Sequence, residues 1–286
     1  MSYPRTIALT LLTMIAFAGN SLLCRLALKD TSIDAASFTM IRLATGAVVL
    51  WLLVRFRRST QAGGGNWRSA SALFAYAAGF SFAYVSLPAA TGALLLFGAV
   101  QATMIGHGIW AGERLVAIQL AGLVLALGGL VGLFLPGLTA PPLFGALLML
   151  GAGVAWGVYS LRGTSAGDPT RVTAGNFLRA VPIAAVMSVW MKDAAAFDRA
   201  GVGYAIASGA LASGIGYAIW YSVLPALTST RAATVQLSVP VIAALGGIVF
   251  LGEPVTLRLV LASVAILGGI ALVIPGPAGL SRPSVT

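Results

Sequence analysis

Long apolar runs follow one another along the whole chain, interrupted only by short stretches of charge, Pro or Gly/Ser. Cutting at those interruptions leaves ten segments near the roughly 20 residues that a bilayer-spanning helix requires. They cover 7–28, 35–54, 69–87, 89–111 and 115–135, then 142–161, 172–191, 202–224, 229–251 and 256–274. The runs lack the roughly 10-residue alternation of a membrane barrel, and lipid demands backbones satisfied within the segment, so helices are predicted throughout. The expected fold is an all-α polytopic membrane protein.

Composition supports this. Of 286 residues 59% are hydrophobic and only 8% charged, against roughly 25% charged in a soluble domain. The net charge of +10 does not point to nucleic acid, because no basic stripe with interleaved aromatics lies outside the apolar runs. It reads as topology information. With the amino end in the cytoplasm, the inner side collects Arg5, Arg55, Arg57, Arg58, Arg68, Arg114, Arg162, Arg171, Arg231 and Arg282, and the outer side Arg25, Lys29, Lys192, Arg199 and Arg258. Arg42 and Arg179 fall inside spans. Arg5 and the run into Ala16-Phe17-Ala18-Gly19 look superficially like a secretory signal, but the run continues past the small residues and similar runs follow. The one cysteine, Cys24, excludes an internal disulfide, and one histidine, His107, leaves no cluster for a metal. No Gly-x-x-x-x-Gly-Lys-Ser/Thr loop is present to power transport by ATP. No cofactor is expected.

Self-comparison exposes a repeat. A shift of 137 residues pairs Leu87-Pro88-Ala89 with Leu224-Pro225-Ala226, Thr91 with Thr228, Tyr84 with Tyr221, Phe80 with Tyr217 and Arg42 with Arg179. A shift of 140 pairs Gly112-Glu113 with Gly252-Glu253 and Leu127-Gly128-Gly129 with Leu267-Gly268-Gly269. The units are 1–138 and 139–286. Because each holds five spans, an odd number, the second enters the membrane from the opposite side, the design of an alternating-access carrier.

Gly-Glu closes the fourth and ninth spans, an Arg stands in the second and seventh, and Ala-Phe-Ala-Gly-Asn at 16–20 is echoed by Val-Ala-Trp-Gly-Val at 154–158. In these residues the chain resembles the EamA-type drug/metabolite transporters over essentially its whole length, and within them the YddG-type aromatic amino-acid exporters of bacterial inner membranes. The resemblance implies ten helices around a central cavity lined mainly by helices 1, 3, 4, 6, 8 and 9, with 5 and 10 peripheral. One departure is Pro240 of the ninth span, which has no Pro counterpart near Gln101 in the fourth.

Tyr76, Phe80 and Tyr84 share a face of the third span, as do Tyr217 and Tyr221 in the eighth. Being repeat-equivalent, the two rows are expected to oppose one another and stack a flat substrate, Tyr84 and Tyr221 ahead of Tyr76; interhelical packing is the plainer alternative. Asn20, Gln101 and Gln236 are large mid-span amides, suited to a zwitterion or, more simply, to bonding helices together. Phe97 shares a face with Gln101. Phe17, Trp156 and Tyr159 join the candidates by position on helices 1 and 6. Arg42 and Arg179 read as structural, about 10 Å into their helices and within snorkelling range. Glu113 and Glu253 read as neutralising the amino end of the following helix. Gly108/Gly112, Gly128/Gly132 and Gly153/Gly157 read as close-packing pairs.

No catalytic residue or metal ligand is assigned. The expected activity is export of amino acids, aromatic or other apolar ones favoured, and of related metabolites by a monomer in the inner membrane. The alternative is a drug or nucleotide-sugar carrier of the same fold. An acid in the membrane interior, which cationic-drug antiport needs, is missing, and an intramembrane enzyme would need a nucleophile and base that the chain does not offer. Both termini are predicted cytoplasmic. A reporter enzyme fused after Arg282 is expected to be active only in its cytoplasmic form; a periplasmic readout would reverse the assignment.

Overall fold

The computed structural model describes residues 3–56, 63–112, 115–135, 140–163, 168–227 and 235–273. Among them there is no strand. The helices are α1 (Tyr3–Asp30), α2 (Ala35–Phe56), α3 (Trp67–Tyr84), α4 (Ala89–Trp110), α5 (Ala117–Phe134), α6 (Leu143–Arg162), α7 (Pro169–Trp190), α8 (Arg199–Val223), α9 (Ser238–Leu251) and α10 (Leu257–Val273). Seven of them, α1, α2 and α4–α8, are long and apolar enough to cross a membrane, and α9 and α10 are shorter apolar helices. The third segment is the least lipid-like, since Ser69, Tyr76 and Ser81 on it are buried against other helices.

Aspartates start several helices. Asp168 and Asp198 cap α7 and α8 by accepting from Thr170 N at 2.9 Å and Gly201 N at 3.0 Å. Asp34 caps α2, accepting from Ala36 N and Ser37 N, and takes Ala196 N on its other oxygen, all at 2.9 Å. Partial burial works to raise the Asp34 pKa, but the hydrogen bonds from Ser37, Ala196 and Ala36 outweigh it and hold the carboxyl below its ordinary value. Asn66 caps α3 in the same way. Asn176 of α7 accepts from Asn66 N at 2.9 Å, and Arg179 donates to the carbonyls of Gly64 and Gly175, so α7 holds the turn ahead of α3.

The interior is built from α1, α3, α4, α6 and α8, with α2 and α7 packed on one another and α5 packed on α10. In its most apolar window α5 is only 17% buried against 67% for α4. Leucines, valines and isoleucines along α5 and α10 point outward, which is ordinary for a lipid-facing surface. Helices 5 and 10 are peripheral, as the resemblance implies.

Small residues set the helix spacing, though not always the expected ones. A Cβ on Gly153 would lie 2.5 Å from the Leu96 carbonyl oxygen, and one on Gly157 2.8 Å from Thr103 Cβ, so this pair does seat α6 on α4. Gly128 and Gly132 face open space instead. The close approach of α5 to α10 runs through the neighbouring face, where Gly129 meets Ala265 and Ile266, and Gly122 and Gly269 meet one another's carbonyls. Gly269→Leu is therefore expected to destabilise the fold by about 1–3 kcal/mol through overpacking, while Gly268→Leu, with no atom within 4 Å of its Cβ, changes little. Thermal unfolding of the two variants in detergent measures the difference.

Candidate functional site

At the centre of the bundle five helices meet around a cavity of about 20 Å³, room for about one water molecule. From α1 come Phe17, Asn20 and Ser21; from α3, Tyr76 and Phe80; from α4, Leu96 and Phe97. Trp156 of α6 and Ala212 and Tyr217 of α8 complete the wall. The aromatic rings form a continuous lining. Trp156 lies 4.8 Å from Tyr76, 5.1 Å from Tyr217 and 5.4 Å from Tyr159, centroid to centroid, and Phe17 stands edge-on to Tyr217 at 5.7 Å.

Behind the Tyr76 and Phe80 rings sits Arg42, whose side chain is fully buried. Its carbon centre is 4.8 Å from the Phe80 centroid and 5.2 Å from that of Tyr76, within cation–π range. Nη2 donates to the Tyr76 hydroxyl at 3.0 Å and Nε to Ser213 Oγ at 3.4 Å. Nη1 has no hydrogen-bond partner among the described residues, and no carboxylate there forms an ion pair with Arg42. Snorkelling to an interface is thus replaced by full burial. Arg179, its counterpart under the 137-residue shift, reaches the Gly64 carbonyl instead.

Asn20 joins this cluster. Its Nδ2 donates to the Tyr76 hydroxyl at 3.4 Å, and its Oδ1 accepts from Ser208 Oγ at 2.6 Å. Ser208 and Ser213 lie on one side of α8 because residues Ser208–Ile215 wind as a π-helix. With i→i+5 bonding, residues five apart come near register, and such windings recur at functional sites. Gly209 in the same segment lets α8 close on α2, since a Cβ there would run into Thr45 and the Arg42 carbonyl.

Of the sequence-derived candidates, Asn20, Phe80, Phe97, Trp156 and Tyr217 line the cavity. Tyr159 backs Trp156 and its hydroxyl accepts from Asn176 Nδ2 at 3.4 Å. Gln101 is buried on α4 one turn beyond Phe97, and half-buried Gln236 precedes α9; neither reaches the cavity wall. Among the described residues α9 adds nothing to this wall. The order within the tyrosine rows is reversed: Tyr76 is in the wall, whereas Tyr84 and Tyr221 are not. Tyr84 sits at the last turn of α3, packs over Gly92 and donates its hydroxyl to the Ala89 carbonyl at 3.3 Å. Sequence spacing puts it on the right face of α3 but does not give its depth. Ser21, Leu96 and Ala212 carry no chemistry that would have marked them.

Tyr84 belongs to a second cluster, a latch across four helix ends. Arg25 of α1 pairs with Glu253 at 3.2 Å, the side chains only 12% and 9% exposed, and donates to the carbonyls of Tyr84 at 2.9 Å and Val85 at 3.0 Å. The second Glu253 oxygen accepts from Ala89 N at 2.7 Å. Lys29 caps α9 at the Leu251 carbonyl. Gly252 makes this possible: at φ +61° it ends α9 in the left-handed conformation glycine favours and turns Glu253 inward. The carboxylate therefore neutralises the amino end of α4, not of the helix that follows it, α10. Glu113 lies outside the described residues.

Comparison with known proteins agrees with this architecture. The EamA-like transporter family matches residues 143–274. An uncharacterised protein of Pseudomonas aeruginosa is 60% identical over 272 residues, covering 94% of each chain. The threonine/homoserine exporter RhtA of Salmonella typhimurium is 33% identical over 129 residues, 44% of this chain and 43% of that protein. A crystal structure of a protein 21% identical shares the fold at a TM-score of 0.63, covering 92% of this chain and 97% of the other. The chain has several helices apolar enough to cross a membrane, and its residues 143–274 form an EamA-like transporter family domain.

Proposed function

We propose that this protein is an alternating-access exporter of amino acids, favouring aromatic and other apolar ones, across a bacterial inner membrane. The observation that carries the reading is the closed central cavity, where aromatic faces and a buried amide converge from five helices. Rings stack flat or apolar side chains, and Asn20 offers both a donor and an acceptor to a polar backbone. RhtA, similar over part of the chain, is named for exporting threonine and homoserine. A cationic drug is disfavoured by Arg42, the charge nearest the cavity among the described residues.

In this reading the ten helices cross the membrane as two inverted five-helix repeats with both termini inside. The packing supports it, because exchanging each helix for the one five places on maps the most extensive helix contacts onto one another. As α3 packs on α6 and α7, so α8 packs on α1 and α2; as α4 packs on α6, so α9 packs on α1. The α2–α7 and α5–α10 pairs map onto themselves. The Arg25–Glu253 latch then closes the external end, and the cargo leaves when it opens.

Two measurements test this. Purified protein in liposomes loaded with unlabelled amino acid is expected to take up the same labelled amino acid by exchange, best for aromatic and apolar members of a panel. No exchange with any of them rejects the proposal. For the latch, Glu253→Gln removes one charge of the pair, and the buried thiol of Cys24, beside Arg25 on α1, serves as reporter. A membrane-impermeant maleimide is expected to label Cys24 about tenfold faster in the variant, the effect of roughly 1.4 kcal/mol on opening. An unchanged rate removes the latch from the mechanism.

A further inference from the structure

We infer that Arg42 and Asn20 together form a carboxylate receptor, for which the Tyr76 hydroxyl stands in while the cavity is closed. The inference deepens the proposed function by assigning recognition of the cargo's acid group, and it rests on that reading.

Three observations converge. The first is charge without a counter-charge: Arg42 is 1% exposed, and no ion pair to it exists among the described residues. Charged side chains inside a membrane bundle pair with one another or with backbone carbonyls and mark substrate pathways, so a buried guanidinium without a carboxylate partner points to a ligand that supplies the anion. The second is the open valence. Nε and Nη2 are engaged by Ser213 and Tyr76, but the buried Nη1 has no partner among the described residues. The third is the shared acceptor. The Tyr76 oxygen takes Arg42 Nη2 at 3.0 Å and Asn20 Nδ2 at 3.4 Å, so one neutral oxygen gathers two donors that come from α2 and α1. A carboxylate oxygen is the stronger acceptor for the same donors, and its second oxygen has Nη1 to bond.

Geometry sets the sequence of events. Tyr76 lies between the guanidinium and the cavity, its ring part of the wall. When the cavity widens to admit cargo, the Tyr76 hydroxyl yields its two donors to the incoming carboxylate. Ser208 holds Asn20 by its oxygen at 2.6 Å, which keeps Nδ2 turned toward Tyr76. Ser213 holds Nε, so the free edge of the guanidinium remains Nη1 and Nη2. Both serines come from the π-wound segment of α8. The ligand class is a carboxylate-bearing solute with an apolar side chain, either a zwitterion or a simple acid.

The test is competition in the liposome exchange assay, with phenylalanine, leucine and threonine set against their amides and with 3-phenylpropionate set against 2-phenylethylamine. In the wild type each acid is expected to compete about 10- to 100-fold better than its amide or amine partner, the effect of one hydrogen-bonded charge. Arg42→Gln is expected to bring the acids down to the level of the amides while leaving competition by the amides in place. Tyr76→Phe removes the stand-in hydroxyl and is expected to keep or strengthen the preference for acids. Equal competition by acids and amides in the wild type, or an unchanged ratio in folded Arg42→Gln, overturns the inference while exchange itself still supports export. If Arg42→Gln does not accumulate as folded protein, the wild-type comparison and Tyr76→Phe decide: loss of the acid preference in Tyr76→Phe assigns the contact to the tyrosine and overturns the receptor. Absence of exchange by the wild type with every amino acid overturns both readings.

Discussion

The burial of one guanidinium constrains the middle of this protein more than any other single group. An arginine at the centre of a membrane helix costs about 2.5–3.5 kcal/mol even on insertion scales, and the Arg42 side chain is buried inside the bundle. Its surroundings answer that cost from three other helices. Phe80 and Tyr76 of α3 turn their ring faces to it, Ser213 of α8 and the Tyr76 hydroxyl accept its hydrogen bonds, and Asn20 of α1 also donates to that hydroxyl. Gly209 lets α8 lie against the backbone of α2, which brings Ser213 within reach. The π winding of Ser208–Ile215 follows the same need, because it places Ser208 and Ser213 together where α-helical winding would part them.

The helix ends pose the complementary problem. Each helix leaves unpaired N–H groups at its start and carbonyls at its finish, and apolar surroundings make those expensive to bury. Here side chains from distant helices satisfy them. Arg25 serves the carbonyl end of α3, Lys29 that of α9, and Glu253 the amino end of α4, each with the charge that the helix dipole favours. Because these partners belong to different helices, satisfying the ends also ties them together. Separating the ends would expose a charge on one side and orphaned backbone on the other, so these contacts hold the ends together without a covalent link.

Much of this was legible in the sequence, and what was not has physical reasons. The apolar runs located most of the helices to within a few residues, since bilayer thickness fixes their length, but the ninth, expected from residue 229, begins at Ser238. The spacing of Tyr76, Phe80 and Tyr84 put them correctly in one stack, with successive centroids 5.5 and 4.8 Å apart. Depth along the helix was not encoded, so Tyr84, at the end of α3, was expected in a wall that Tyr76 occupies. The π winding has no signature in Ser-Gly-Ala-Leu-Ala-Ser-Gly-Ile, which is as compatible with an α-helix. Gly252-Glu253 announced itself as a pair, but the target of the carboxylate, Ala89, lies 164 residues away in sequence and only the fold could name it. Likewise Gly128 and Gly132 have the packing spacing, yet the rotation of α5 is set by Gly122 and Gly129.

The repeat equivalences matter most where they fail. Under the 137-residue shift Arg25 corresponds to Arg162 and Arg42 to Arg179. Arg25 is engaged in an ion pair, while Arg162 donates to Ser69 Oγ at 3.3 Å. Under the proposed function, that difference at the two ends of the bundle is what an inverted carrier closed at one end requires, and a reversal of state would exchange the two environments. Arg42 and Arg179 differ in another way. Arg179 is tied to the turn before α3 by the carbonyl of Gly64, whereas Arg42 is enclosed by the cavity wall. Exchanging those surroundings would require α2 and α7 to trade partners, although these two helices pack on one another. The asymmetry is therefore fixed in the chain, and under the proposed carboxylate receptor a cargo with one acid group has use for only one such arginine.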